Sequence, residues 1–233
     1  MLLQAPDVET STEGYARRFS GPAGRYLLDV QAQAVTAALR DLPPGRALDV
    51  GGGHGQLVGV LASLGWDVTV AGSDRTCGER LPRDVPFVVG DLLRLPFPSR
   101  SFDLVISVRL LSHVREWPLL LRELCRLARR SVAFDYPSLC SINVLTPVLF
   151  HIKKRIEGNT RTYMSFSRAE LASCLRENGF EVARTVGQFV LPMGVHRALR
   201  GAKALRLIES GARAVRLTDL VGSPVLLRAD RAF

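Results

Sequence analysis

An acid and three alternate glycines stand together in Ala47-Leu48-Asp49-Val50-Gly51-Gly52-Gly53-His54-Gly55. A short apolar strand runs into a glycine-dense turn, and an amphipathic stretch from Gln56 to Leu64 follows. Strand, loop and helix in that order open a nucleotide-binding βαβ unit. Without a Cβ, the loop backbone can turn sharply and admit a ligand to contact distance. The spacing then selects the ligand. A dinucleotide fingerprint counted from Gly51 needs its last glycine where Gln56 stands, and no Lys-Ser/Thr pair follows the loop as a P-loop requires. The pattern present is D-x-G-x-G-x-G. An acid at the strand end would repel a pyrophosphate, but it suits a ligand that presents an ammonium group and hydroxyls.

The elements that must position this loop continue in order. Val68 to Ser73 reads as a second strand ending in Asp74, roughly 20 residues past the glycines, the distance at which an acid reaches a ribose. Phe87-Val88-Val89-Gly90-Asp91-Leu92 gives a third strand. After Leu95-Pro96-Phe97-Pro98, the run Ser101-Phe102-Asp103-Leu104-Val105-Ile106-Ser107 gives a fourth. A fifth is expected over Val132–Asp135. These segments are apolar on both faces, as buried parallel strands must be. Helices are expected over Arg25–Leu42, stopped by Pro43-Pro44-Gly45, and over Trp117–Arg129. The alternation argues for a doubly wound parallel sheet. Further on, Ser167-x-x-Glu170 opens a capped helix to Glu177, and a strand begins at Phe180. An Arg-rich amphipathic helix from about Val195 to Leu217 is interrupted at Gly201 and Gly211. Leu199, Leu205 and Ile208 interleave with its charges, so it is expected to pack its leucines on the sheet and leave its arginines in water. A last strand covers Ser223–Ala229.

Asp49-x-Gly51-x-Gly53-x-Gly55 resembles motif I of the class I S-adenosylmethionine (SAM)-dependent methyltransferases. The strands at Phe87 and Ser101 are similar to the third and fourth of the small-molecule, type 11-like branch. The resemblance covers about residues 45 to 135. It implies an α/β fold, a Rossmann-like doubly wound seven-stranded sheet, mostly parallel with an antiparallel last strand and helices on both faces. It also implies SAM as cofactor. In that reading Asp49 reaches the amino-acid end through backbone or water, and Gly51, Gly53 and Gly55 admit the ligand. Asp74, with Arg75 beside it, meets the ribose. Asp91 meets the adenine amine and the Leu92 amide meets the ring, while His54 and Ser107 shape the site. Asp74 and Asp91 also read simply as turn caps.

A sulfonium donor is already activated, so methyl transfer asks mainly for in-line alignment. His113, just after the fourth strand, is the best-placed titratable candidate for a base. Tyr15, Arg109, Tyr136, Arg161, Tyr163 and His196 are candidates for the acceptor side, and Tyr15 and Phe19 belong to an N-terminal flap. Ile106-Ser107-Val108-Arg109 is not the N-P-P-Y-type tetrad of DNA amino-methylating enzymes, and no Pro-Cys nucleophile occurs. Aromatic residues are 7% of the chain, thin for a nucleic-acid stacking surface. A small or lipid-like acceptor is expected, with no nucleic acid and no metal, and with the apolar insertion from Leu139 through Lys153-Lys154-Arg155 as its lid. Two other readings stand beside it: a non-catalytic SAM-binding scaffold, and a membrane-surface enzyme acting on a lipid-linked acceptor.

Composition bounds these readings. The 233 residues are 47% hydrophobic with a mean hydropathy of +0.12, enough for one domain with a full core. It divides into an N-terminal flap and helix (1–42), a cofactor core (45–135), the lid insertion (136–166) and a C-terminal part (167–233). Residues 1–20 are polar and expected to be mobile. Cys77, Cys125, Cys140 and Cys174 are scattered and read as reduced thiols. With no leader-like start and no apolar run long enough to span a bilayer, the expected location is cytoplasmic. Of the net charge of +9, roughly +8 falls in residues 151–233, which points to a solvated basic face, an acidic acceptor or peripheral contact with an anionic membrane.

Overall fold

The structure is a computed structural model, and it describes residues 5–52, 55–141, 163–191, 195–196 and 203–232. Seven strands form one sheet: β1 (Arg46–Val50), β2 (Asp67–Gly72), β3 (Phe87–Val89), β4 (Phe102–Ser107), β5 (Ala128–Tyr136), β6 (Phe180–Gly187) and β7 (Val225–Arg231). Their order is β3-β2-β1-β4-β5-β7-β6. The pairs β1–β2, β2–β3, β1–β4 and β4–β5 are parallel, and β7 runs antiparallel to both β5 and β6. This is the expected sheet with its antiparallel last strand. The order reverses between β1 and β4, and in such sheets ligands sit beyond the carboxyl ends of the strands at that reversal.

The helices among the described residues are α1 (Pro6–Thr10), α2 (Glu13–Ala16), α3 (Gly21–Leu39), α4 (Val58–Ser63), α5 (Trp117–Leu127), α6 (Arg168–Glu177), α7 (Lys203–Ala214) and α8 (Leu217–Val221). Side chains of β4 alternate between two apolar clusters. Leu104 and Ile106 meet Val35, Ala38 and Leu39 of α3 and Leu61 of α4. Phe102 and Val105 share the other cluster with Leu120, Leu121 and Leu124 of α5 and Leu171 and Leu175 of α6. Both faces of the sheet are thus covered. The cap read at Ser167 is present: its hydroxyl accepts from the Glu170 amide at 3.1 Å.

Some boundaries move. The helix α3 starts at Gly21 with Pro22 in its first turn, where a fixed φ suits a helix start. The helix α5 ends at Leu127, two residues before its expected end, and Ala128 turns extended and begins β5. The start of the chain also differs from expectation. Asp7 on α1 is buried and accepts from the Ser73 amide at 2.7 Å and its hydroxyl at 2.5 Å. The segment is tied to the end of β2.

The Arg-rich helix corrects the expectation most sharply. The helix α7 runs through Gly211 and ends at Ala214, two residues before Arg216, whose φ of +59° is left-handed. Glu209 is fully buried and accepts from the amides of Val190 at 3.0 Å and Leu191 at 2.9 Å, with His196 Nε2 at 3.1 Å. One buried acid turns its whole face inward. Arg206 and Arg213, at i−3 and i+4 from it, go in with it, and Leu207 and Ile208 face out. Among the described residues only Leu205 and Ala212 pack as the leucines were expected to, and Leu199 and Gly201 lie outside the described residues.

Candidate functional site

The loop after β1 is built around one carboxylate. Gly51 takes φ +76° and donates its amide to the Ala71 carbonyl at 2.8 Å, holding the loop against β2. Asp49 is 1% exposed, and neither of its carboxylate oxygens has a hydrogen-bond partner among the described residues. Burial pushes it from 3.8 up to about 7, against the opposing pull of Arg109. Gly52 leaves it room, because a Cβ there would lie 1.9 Å from Asp49 Oδ2.

Arg109 closes the site from β4. Its backbone is left-handed, at φ +61°, and its amide donates to Asp135 Oδ1 at 2.5 Å. Asp135, at the end of β5, is pushed up to about 6 by burial, with that amide and the Arg109 charge opposing. The Arg109 guanidinium donates through Nη2 to Gln56 Oε1 and lies 4.4 Å above the Phe19 ring. Its Nη1 is buried without a hydrogen-bond partner among the described residues. Asp49, Gly51, Gly52, Gln56, Arg109 and Tyr15 line one cavity of about 30 Å³, with Thr10 also at its wall. It holds an unmet carboxylate and an unmet cationic donor.

The other expected residues fall elsewhere. Asp74 is exposed at the end of β2, and its Oδ1 accepts from the Thr76 amide at 2.9 Å and hydroxyl at 2.8 Å. These bonds hold it below its usual range, and Arg75 begins the turn they cap. Asp91 Oδ1 likewise accepts from the Leu93 amide at 2.9 Å, and the Leu92 side chain is buried. Both acids therefore cap turns, at the ends of β2 and β3. The Ser107 hydroxyl is committed to the Val50 carbonyl at 2.9 Å, joining β4 to β1. Tyr136, expected on the acceptor side, is a core side chain packed with Phe134 and Phe166. His113 is half-buried on a short turn, with its ring 5.7 Å from Tyr163. His196 is buried against Glu209, away from the cavity walls. Gly53, His54, Arg161 and residues 142–162 of the expected lid lie outside the described residues. The two ends of that insertion meet: Ser138 bridges Phe166, and the Met164 amide donates to the Ser112 carbonyl at 2.9 Å.

Sequence reasoning missed Gly52, Gln56 and Thr10 as site residues, and Asp135 as the support beneath Arg109. Gly52 carried a local signal as a third adjacent glycine. Gln56 directly follows the loop, while Thr10 and Asp135 are joined to the site only by the fold.

Residues 48–134 match the family model described as a methyltransferase domain. It is 36% identical over 110 residues to a demethylmenaquinone methyltransferase of Roseiflexus sp. strain RS-1, covering 44% of this chain and 46% of that protein. It is 32% identical over 124 residues to a fatty-acid O-methyltransferase of Mycolicibacterium smegmatis, covering 50% of this chain and 44% of that protein. The chain thus matches less than half the length of these curated relatives. Its fold is that of magnesium protoporphyrin IX methyltransferase of Synechocystis PCC 6803, solved with bound SAH. The two share 19% identity at a TM-score of 0.63 over 96% of each chain.

Proposed function

We propose that this protein moves a methyl group from S-adenosylmethionine to a small or lipid-like acceptor by in-line displacement. The observation that carries the proposal is Asp49, a buried carboxylate with both oxygens unmet among the described residues, at the loop where the matched span begins. A buried unpartnered acid is expensive unless a ligand meets it. The methionine end of SAM brings an ammonium and a carboxylate, and the cavity brings Asp49 and the unmet Nη1 of Arg109. The residues fit the group.

When bound, SAM supplies a methyl group already activated on its sulfonium sulfur. Asp49 would take the ammonium, and Gly51 and Gly52 leave the backbone open to it. Asp74 and Asp91 would meet the ribose and the adenine amine, each with its Oδ1 already holding a turn. Tyr15 and Arg109 close the wall on the N-terminal side. His113 would take a proton from an acceptor that must lose one. The relatives acting on demethylmenaquinone and fatty acids support a lipid-like acceptor, and no described helix is long and apolar enough to cross a membrane.

Calorimetry on the full chain tests the cofactor, with SAM and SAH expected to bind at about micromolar affinity. Transfer of tritium from methyl-labelled SAM to fatty acids and hydroquinones tests the acceptor class. Failure of the intact chain to bind either SAM or SAH would overturn the proposal.

A further inference from the structure

We infer that the outer face of α7 and α8 docks the protein on a bilayer surface carrying anionic lipid. The helix α7 is inside out for a protein in water. Leu207 is 75% exposed, Ile208 53%, Val215 74% and Leu220 75%, and Leu217 adds to them. Five of the nine exposed large apolar side chains among the described residues fall between Leu207 and Leu220. At ~100° per residue, Leu207, Ile208, Gly211 and Val215 share one sector of the helix. The inward face carries Arg206, Glu209 and Arg213. Beside them His196 Nδ1 and Arg206 Nε are buried with no hydrogen-bond partner among the described residues. In water this arrangement loses twice, because apolar surface stays wet and polar atoms stay unmet. Against hydrocarbon the first loss becomes a gain, and the half-buried arginines on the inward face are kept out of the lipid.

The charges around the ridge name the occupant. Lys203 stands exposed at its start, and Arg216 is 86% exposed at the break between the helices. Asp219, paired with Arg216 at 3.1 Å, is the one acid of residues 203–221 besides buried Glu209. The whole chain carries +9. An apolar ridge with basic flanks on a basic protein is complementary to an anionic interface. A second copy is less suited. A standard protein interface takes roughly 20–30 residues a side, and this ridge offers five apolar side chains on two short helices.

The ridge also lies at the right end of the sheet. Because β7 is antiparallel to both β5 and β6, the carboxyl end of β6 lies at the same sheet edge as those of β1 and β4. The segment from β6 to β7, which contains α7 and α8, leaves from that edge. Docking would turn the Asp49 end of the sheet toward the membrane, though the docking itself does not depend on the catalytic reading.

Sedimentation of the full chain, without cofactor, with vesicles of phosphatidylcholine alone or mixed with phosphatidylglycerol tests the inference. The wild type should bind the mixed vesicles, less at high salt but measurably still. The double variant Leu207→Ser/Leu220→Ser should lose roughly tenfold or more of that binding, with its melting temperature and SAM affinity unchanged. Tryptophan emission of Leu220→Trp should shift to the blue on adding mixed vesicles. Three outcomes overturn the inference: no vesicle binding by the wild type, undiminished binding by the double variant, or a wild-type dimer that the double variant splits. The last would make the face a self-interface.

Discussion

Replacing Asp49 by Asn should stabilise the ligand-free protein and abolish its use of SAM, and the size of both effects follows from the burial of one carboxylate. In the folded chain Asp49 titrates near 7 rather than 3.8. Between those values the native state holds a proton that the unfolded chain has released. Stability therefore falls as pH rises through the window from about 4 to about 7, and the full penalty is present above it. At ~1.4 kcal/mol per pH unit the penalty is about 4 kcal/mol. The Asn side chain occupies the same volume uncharged, so it removes the penalty at pH 8 and gains almost nothing at pH 4. Asp135, raised to about 6 by burial, contributes a slope over an overlapping range. The informative quantity is thus the difference between variant and wild type. Urea unfolding at several pH values gives that difference, which should grow from near zero at pH 4 to a few kcal/mol at pH 8. Calorimetry gives the other half: wild-type affinity for SAM should rise as pH passes through about 7, because the ammonium partner needs the ionised acid. The variant should show weak binding at every pH. A stability difference that does not change with pH, or an Asn variant that binds SAM like the wild type, would refute the reasoning.

Two further outcomes are expected. Gly52→Ala places a methyl group 1.9 Å from Asp49 Oδ2, so the loop or the acid must shift. The variant should lose about 1–3 kcal/mol of stability and most of its SAM affinity, read by thermal melting and calorimetry. At the other end of the sheet, the Arg228 guanidinium beside Asp41 holds that carboxyl at about 2. Since 2 lies below its ordinary 3.8, this contribution is present at neutral pH and is lost as pH falls from about 4 to about 2. Acid unfolding should show that step in the wild type and lack it in Asp41→Asn.

What could be read from the sequence, and what could not, divides by distance along the chain. The strand, glycine loop and acid of Asp49 to Gly55 are contiguous, and each residue type there answers a local demand of the turn. The buried strands β1, β2, β4 and β5 and the Ser167 cap were legible for the same reason, whereas β3, expected to be buried, is an edge strand with Val89 exposed. Arg109 was legible as a candidate, but its grip was not. Its left-handed backbone depends on Asp135, 26 positions away, and its guanidinium depends on Gln56 and Phe19. Asp7 holds Ser73 across 66 positions from a polar segment with no period to betray a docked helix. Tyr136 shows the converse: a residue type suited to a site, in a place that β5 and its neighbours had already buried.

The helix α7 marks the boundary most clearly. Its amphipathicity is plain in the sequence, but amphipathicity fixes only that two faces differ. Which face goes inward was decided by Glu209, whose carboxylate meets two amides of the turn after β6 and the His196 ring. A fully buried carboxylate with three polar contacts is costly to withdraw, and Leu207 and Ile208 on the opposite side cannot be buried together with it. Hydrophobic periodicity alone assigns the apolar face to the core. Among the described residues that rule fails at α7 and at α8 after it, in the segment that leaves the sheet edge where the candidate site opens. A local rule broken at that place is better explained by a second environment outside the protein than by a defect in its packing.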